Sequence, residues 1–322
     1  MNNNQNQQMP QNPNQLNWAQ PADDEIDLRE LWNAIWKGKW LIIAITFVFA
    51  VAGVAFALKQ VNQYKSEALL APAQAESGVG GLSAKFGGLA SLAGVNLGGA
   101  GGGNKALLAQ QVLQSREFIY QFIEKHQILV PLMAAKKWDL ATDTLLLDEE
   151  IYNQQTKQWL REVDPPKTAQ PTNWEAYEEF KNRLAVTEDK DSGFITISFE
   201  FYSPTLAKQW IDWLIADINN HIRALDTQEA QSAIEYLNGQ IKQTSYADMQ
   251  KIFFQLIEEQ TKTIMLAEVR QEYVLKVIDP AIAPEEKSKP KRALICVLAT
   301  MLGGMLGVAI VLVRMAMRKE DN

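Results

Sequence analysis

The 322-residue chain has one cysteine, Cys296, and two histidines, His126 and His221. A single cysteine cannot close an intrachain disulfide. Any large soluble domain must therefore hold together by packing alone, whichever redox compartment it occupies. Neither histidine has a cysteine or carboxylate at metal-ligand spacing along its own stretch, so both read as solvated side chains rather than metal ligands. A basic surplus is also missing: 31 Lys+Arg stand against 38 Asp+Glu, a net charge of −7, which argues against a nucleic-acid binder. The first 20 residues lack any basic side chain and hold 13 Asn or Gln, which excludes the charged start of a cleavable signal peptide. Proline is missing from 205 to 279, which leaves that stretch free to form long helices.

Charge is likewise absent from two long apolar runs, Leu41–Leu58 and Ala293–Val313. At the helical rise each would span about 27–32 Å, close to the roughly 30 Å of a bilayer's hydrocarbon core. Cys296 lies inside the second run, so a thiol nucleophile is excluded in practice. Two transmembrane helices, 41–58 and 293–313, are predicted to bracket a water-soluble region at 59–292. That region is mildly acidic, and the tails on either side are too short for a sizeable core. Cations flank both ends of both runs, so charge counting leaves the orientation open.

Residues 1–24 read as a disordered Asn/Gln-rich tail, and 314–322 as a second short tail. Between the first tail and the first span, residues 25–40 predict an amphipathic interfacial helix, with Asp27 as its cap. Trp32, Trp36 and Trp40 fall one turn apart as headgroup-level anchors. A plain extension of the span is the alternative. Tyr64–Ala71 is a strand candidate, and Ser77–Gly103 is a small-residue segment unable to hold one stiff shape cheaply. Lys105–Gln127 reads as a helix, and 130–185 as shorter helical pieces interrupted by Pro165, Pro166 and Pro171. Phe194–Phe201 alternates cleanly as a strand after the turn Asp191–Ser192–Gly193. From Pro204 apolar residues recur in steps of four, predicting helices at about 204–243 and 246–271 joined at Thr244–Ser245. Tyr273–Ile278 returns as a strand. The expected fold class is α+β: two transmembrane helices bracketing a domain with a small mixed sheet near the membrane and a long projecting helical hairpin, about 204–271.

No catalytic constellation emerges. Gly98–Ala106 ends in lysine before a helix, but Asn104 separates Gly103 from Lys105 and Ala106 has no hydroxyl for magnesium, so a phosphate-cradling loop is excluded. Acidic neighbours such as Glu149/Glu150, Glu178/Glu179 and Glu258/Glu259 do not face each other on a helix and read as solvated. The expectation is no catalytic residue, no cofactor and no metal.

Several blocks together resemble the Wzz-type chain-length determinants, or polysaccharide co-polymerases, of Gram-negative inner membranes. They are Glu25–Leu31 before the first span, Tyr64–Ala68 after it, Ser192–Ser198 followed by Ser203–Ala207, and Glu268–Tyr273 leading to Ile278–Ala281. The most specific block is the proline-rich approach to the second span, Pro280, Pro284, Ser288 and Pro290, followed by Gly303 and Gly307. The family pattern sets proline directly after the serine, where this chain has Lys289. Prolines would stiffen the approach, and Gly303-x-x-x-Gly307 would offer a flat face for packing another helix or docking a partner.

The resemblance implies a periplasmic domain, short cytoplasmic tails on both ends and a ring-like homo-oligomer. It implies no chemistry of its own but control of O-antigen modal length, exercised with a Wzy-type polymerase and through polymerase, growing lipid-linked glycan or both. Some relatives carry a tyrosine kinase after the second span, and the short C-terminal tail predicts its absence here. A capsule or exopolysaccharide co-polymerase working with a separate kinase is the alternative. A two-pass receptor would need a signalling domain, for which tails this short have no room.

Overall fold

A computed structural model of the chain describes residues 28–73 and 102–320. The expected disordered tail, the Asp27 cap and nearly all of the Ser77–Gly103 segment lie outside the described residues. The chain divides into two compact units, one made by the stretches up to Ala57 and from Ala293, the other by Leu58–Arg292.

The first unit contains α1 (Leu28–Lys37), α2 (Lys39–Lys59) and α9 (Arg292–Glu320). The 25–40 helix expected from the tryptophan spacing is broken. Gly38 interrupts it, and its carbonyl accepts from the amides of Leu41 and Ile42 to start α2. Trp40 therefore belongs to α2, not to the helix that carries Trp32 and Trp36. In α2 only 11 % of the most apolar window is buried, and in α9 17 %, whereas the core helix of a soluble protein is buried along its length. Both have the length and composition of membrane spans.

The second unit is built around a four-stranded sheet in the order β6–β7–β1–β8, with β1 at Tyr64–Pro72, β6 at Leu184–Glu188, β7 at Ile195–Phe201 and β8 at Leu275–Asp279. Every pairing is antiparallel, so the expected mixed sheet is corrected. β7 and β8 do run the same way, as a helical crossover requires, but β1 lies between them and opposes both. β6 was hidden in sequence because it follows α6 (Asn173–Arg183) without a turn. It forms a hairpin with β7 through Asp189–Phe194. There Gly193, at φ 71°, donates to the Asp189 carbonyl at 2.7 Å, and the Asp191 amide donates to the Asp189 carboxylate. The Asp191 amide, and then the Ser192 hydroxyl, hold the Asp189 carboxyl below its usual pKa.

The expected helix 105–127 is two helices, α3 (Gly102–Leu113) and α4 (Arg116–Lys125). Ser115 restarts the second by accepting from the Phe118 amide. Beyond α5 (Leu129–Ala134), the region expected to be only helical contains two small hairpins. These are β2 (Ala135–Asp139) with β3 (Thr144–Leu147), and β4 (Tyr152–Asn153) with β5 (Gln158–Trp159).

The long hairpin is α7 (Pro204–Gln243) and α8 (Ala247–Val269). Pro204 sits in the first turn, and the Ser203 hydroxyl accepts from the Leu206 amide, so the helix begins where its first N–H groups are satisfied or absent. At 40 residues α7 is about 60 Å long, and it serves two purposes. Its first half buries Trp210, Ile211, Leu214, Ile218 and Ile222 against the sheet; α8 runs back along the second. Trp210 is 1 % exposed, its ring centroid 4.6 Å from that of Phe201 and 5.3 Å from that of Phe199. Phe180 of α6 and Phe122 of α4 extend this aromatic cluster.

Candidate functional site

Within the spanning unit α2 and α9 pack antiparallel along a stripe whose α9 members recur every four residues: Ala299, Gly303, Gly307 and Val311. A Cβ at Gly303 would lie 2.6 Å from the Cβ of Phe49, and one at Gly307 would lie 3.0 Å from the Ile42 Cα. α2 answers with a glycine of its own. A Cβ at Gly53 would lie 2.5 Å from the Ala299 Cβ, and one at Gly38 would lie 2.6 Å from Val311. The Thr46 hydroxyl turns back to the Ile42 carbonyl at 2.8 Å, so this close approach buries no unpaired donor. Gly303 and Gly307 thus face a helix of the same chain. Gly304 is off the stripe, its nearest neighbour being the Thr46 hydroxyl at 3.7 Å.

Of the tryptophans, Trp32 and Trp36 stack at 6.4 Å, and the Lys39 ammonium sits 4.6 Å over the Trp36 ring. Trp40 joins neither of these contacts, and all three rings are well exposed. The three prolines are likewise spread out. Pro280 borders an open groove of about 290 Å³ between α7 and β8, Pro284 is half-buried and Pro290 is buried.

The segment around Pro290 is tied to the chain that follows α2. Gln63 and Lys289 form an antiparallel bridge, the Gln63 amide donating to the Lys289 carbonyl at 2.9 Å. The Ser288 amide and hydroxyl both donate to the Gln63 carbonyl, and Arg292 donates to Asn62 at 3.0 Å. Lys289, standing where the family pattern has proline, pairs with Glu200 of β7. A lysine can make that ion pair and a proline cannot. The stretch entering the second span is therefore fastened to the stretch leaving the first by several independent bonds.

Three polar anchors were not foreseen. Asn219, 4 % exposed on the apolar face of α7, accepts from the amides of Val274 and Leu275 and donates to the carbonyls of Leu275 and Ile215, all at 2.8–3.0 Å. It clips the start of β8 onto α7. One turn on, Arg223 donates to the carbonyls of Arg270 and Gln271 at 2.7 Å each. Asp226 then takes Lys105 at 2.5 Å and the Tyr273 hydroxyl at 2.6 Å. Burial, and then that bond to a carboxylate, raise the Tyr273 pKa above its usual value. The signal in sequence was a polar residue every third or fourth position of a helix otherwise apolar on that side. His126 is a correction: it is not solvated but 14 % exposed, bonded to Asp217 at 2.8 Å and stacked on Trp213 at 4.2 Å. Asp217 comes from 91 residues away, beyond the reach of local spacing. Among the described residues no group of three or more His, Cys, Asp or Glu side chains converges as a metal site.

Comparison with known proteins supplies what geometry alone does not. Residues 24–126, from before α1 to the end of α4, match the family model "Chain length determinant protein" (Wzz). Residues 244–316, covering α8, β8 and most of α9, match "G-rich domain on putative tyrosine kinase" (GNVR). A solved structure described as a full-length bacterial polysaccharide co-polymerase aligns with 91 % of this chain and 99 % of its own. It is 16 % identical with a TM-score of 0.36, too low for a fold argument. No curated protein matches. Over residues 24–126 the chain is therefore similar to the Wzz chain length determinant domain.

Proposed function

We propose that this protein sets the modal chain length of lipopolysaccharide O-antigen as a non-catalytic, oligomeric co-polymerase acting with a Wzy-type polymerase. The observation that carries the reading is the chain-length-determinant match over the first span and the start of the soluble unit. In this reading the protein crosses the Gram-negative inner membrane twice, with both tails cytoplasmic and Leu58–Arg292 in the periplasm. Growing lipid-linked glycan, polymerase or both would be its contacts. Self-association is supported by the hairpin's apolar exposure: Tyr236, Tyr246, Phe254 and Val269 lie 58–81 % exposed.

The test is the lipopolysaccharide ladder of a deletion strain. A clustered ladder should become a random distribution. A second reading, a capsule or exopolysaccharide co-polymerase served by a separate tyrosine kinase, is favoured by the GNVR match. An unchanged ladder with altered capsule would select it. Light scattering of the detergent-solubilised chain should give a large homo-oligomer, and a clean monomer would sink the ring.

A further inference from the structure

Cations stand in equal number on the two sides of the spans. Arg29, Lys37, Lys39, Arg314, Arg318 and Lys319 are on the tail side; Lys59, Lys65, Lys287, Lys289, Lys291 and Arg292 are on the side of the soluble unit. Membrane insertion favours an unequal split, with lysine and arginine retained in the cytoplasm. If the tails are cytoplasmic, the cations beside the soluble unit are kept against that bias.

The structure separates them by role. Lys289 is used by Glu200, Arg292 by Asn62, and Lys65 by Glu67. Lys287 and Lys291 are exposed and pair with nothing among the described residues. They are not on a loose strap. The residues between them are bonded to Gln63 through the Ser288 amide, the Ser288 hydroxyl and both polar backbone groups of Lys289, and Pro290 is buried. Two unmatched ammonium groups are thus carried on a fixed backbone, with Lys291 next to Arg292, the first residue of the second span. Lys59, also exposed, ends the first span four residues before Gln63. The nearby carboxylates Glu285 and Glu286 lie farther from the span along the chain.

We propose that Lys287 and Lys291 form a phosphate-binding edge at headgroup depth, which takes lipid-borne phosphate. The phosphate could belong to an acidic phospholipid or to the diphosphate of a lipid-linked glycan; only the second source rests on the co-polymerase reading. Two ammonium groups on a backbone that is already fixed can take an anionic headgroup without further loss of backbone freedom.

The test is native mass spectrometry of the full chain from detergent, offered phosphatidylcholine, phosphatidylglycerol or polyprenyl diphosphate. Wild type should retain an anionic lipid over phosphatidylcholine, and the K287Q/K291Q double variant should lose about thirtyfold of that preference, at roughly one lipid-facing charge's worth per lysine. Preference for polyprenyl diphosphate identifies the glycan carrier as the source. Equal retention of phosphatidylglycerol identifies the bulk headgroup. No preference in wild type, or a preference that the double variant keeps, overturns the proposal. Lys289→Gln is the control for simple loss of charge: it should weaken the bridge to β7 and leave the preference intact. A loss matching that of the double variant would overturn the division of roles. An unchanged lipopolysaccharide ladder in the deletion strain would sink the O-antigen reading without touching this measurement.

Discussion

In the spanning unit helices meet where side chains are missing; in the soluble unit they meet where side chains are largest. α2 and α9 approach through Gly38, Gly53, Gly303 and Gly307. α7 meets the sheet through Trp210 set against Phe199 and Phe201. The difference follows from the solvent. In water, burying a large aromatic ring is itself the driving force. In lipid, apolar area is as well solvated outside the contact as inside, so helix pairs gain from close backbone approach instead. The same chain thus uses opposite residue types for the same task.

The comparison breaks most visibly at Trp210. Trp210→Ala should cost the soluble unit about 3–5 kcal/mol, read by denaturant unfolding. A small change would mean that the aromatic cluster does not carry the fold. Next comes Asn219. Asn219→Ala strands the amides of Val274 and Leu275 and should cost about 2–4 kcal/mol, with hydrogen exchange at those two amides accelerating first. In the spanning unit the order of sizes reverses. Gly303→Ala adds one methyl and should still cost about 1–3 kcal/mol in detergent, because that methyl meets the Cβ of Phe49. Gly304→Ala, one residue away and off the stripe, should be neutral or slightly stabilising. Equal melting temperatures for the pair would remove the glycine seam from the account.

The smallest effect concerns charge. The Arg161 guanidinium, then the Thr172 amide, hold the Glu175 carboxyl at about 2 against an ordinary 4.5. Its folded pKa is depressed, so its contribution is present above about pH 4.5 and fades as pH falls toward 2. The pair is partly solvated, so the contribution should stay under about 1 kcal/mol. Glu175→Gln should flatten the stability profile across that window, and an unaltered slope would contradict the role of Arg161.

The elements most legible in sequence were those whose pattern is local. The two spans, the alternation of β7, and the start of α7 at Ser203–Pro204 each follow from neighbouring residues. The candidates at Gly303 and Gly307 were legible as a small-residue pair, but their spacing could not say which helix lies against them. β6 and the hairpins β2–β3 and β4–β5 escaped because strands of two to five residues carry too little periodicity to outweigh helical neighbours. Asn219, Asp226 and His126 escaped because their partners come from distant segments.

By itself, then, the sequence determined what each segment is made to lie in, lipid or water, and which stretches are helix or strand, since both depend on composition and period within one stretch. Tertiary structure alone decided the partners. It set β1 between β7 and β8, gave the glycine stripe a helix of the same chain, and fastened Ser288–Arg292 to Asn62–Gln63. Among the described residues it also left Lys287 and Lys291 without partners while Lys289 and Arg292 gained theirs. Pairings of this kind join residues tens to hundreds of positions apart, and no periodicity along the chain encodes which of many compatible surfaces will meet.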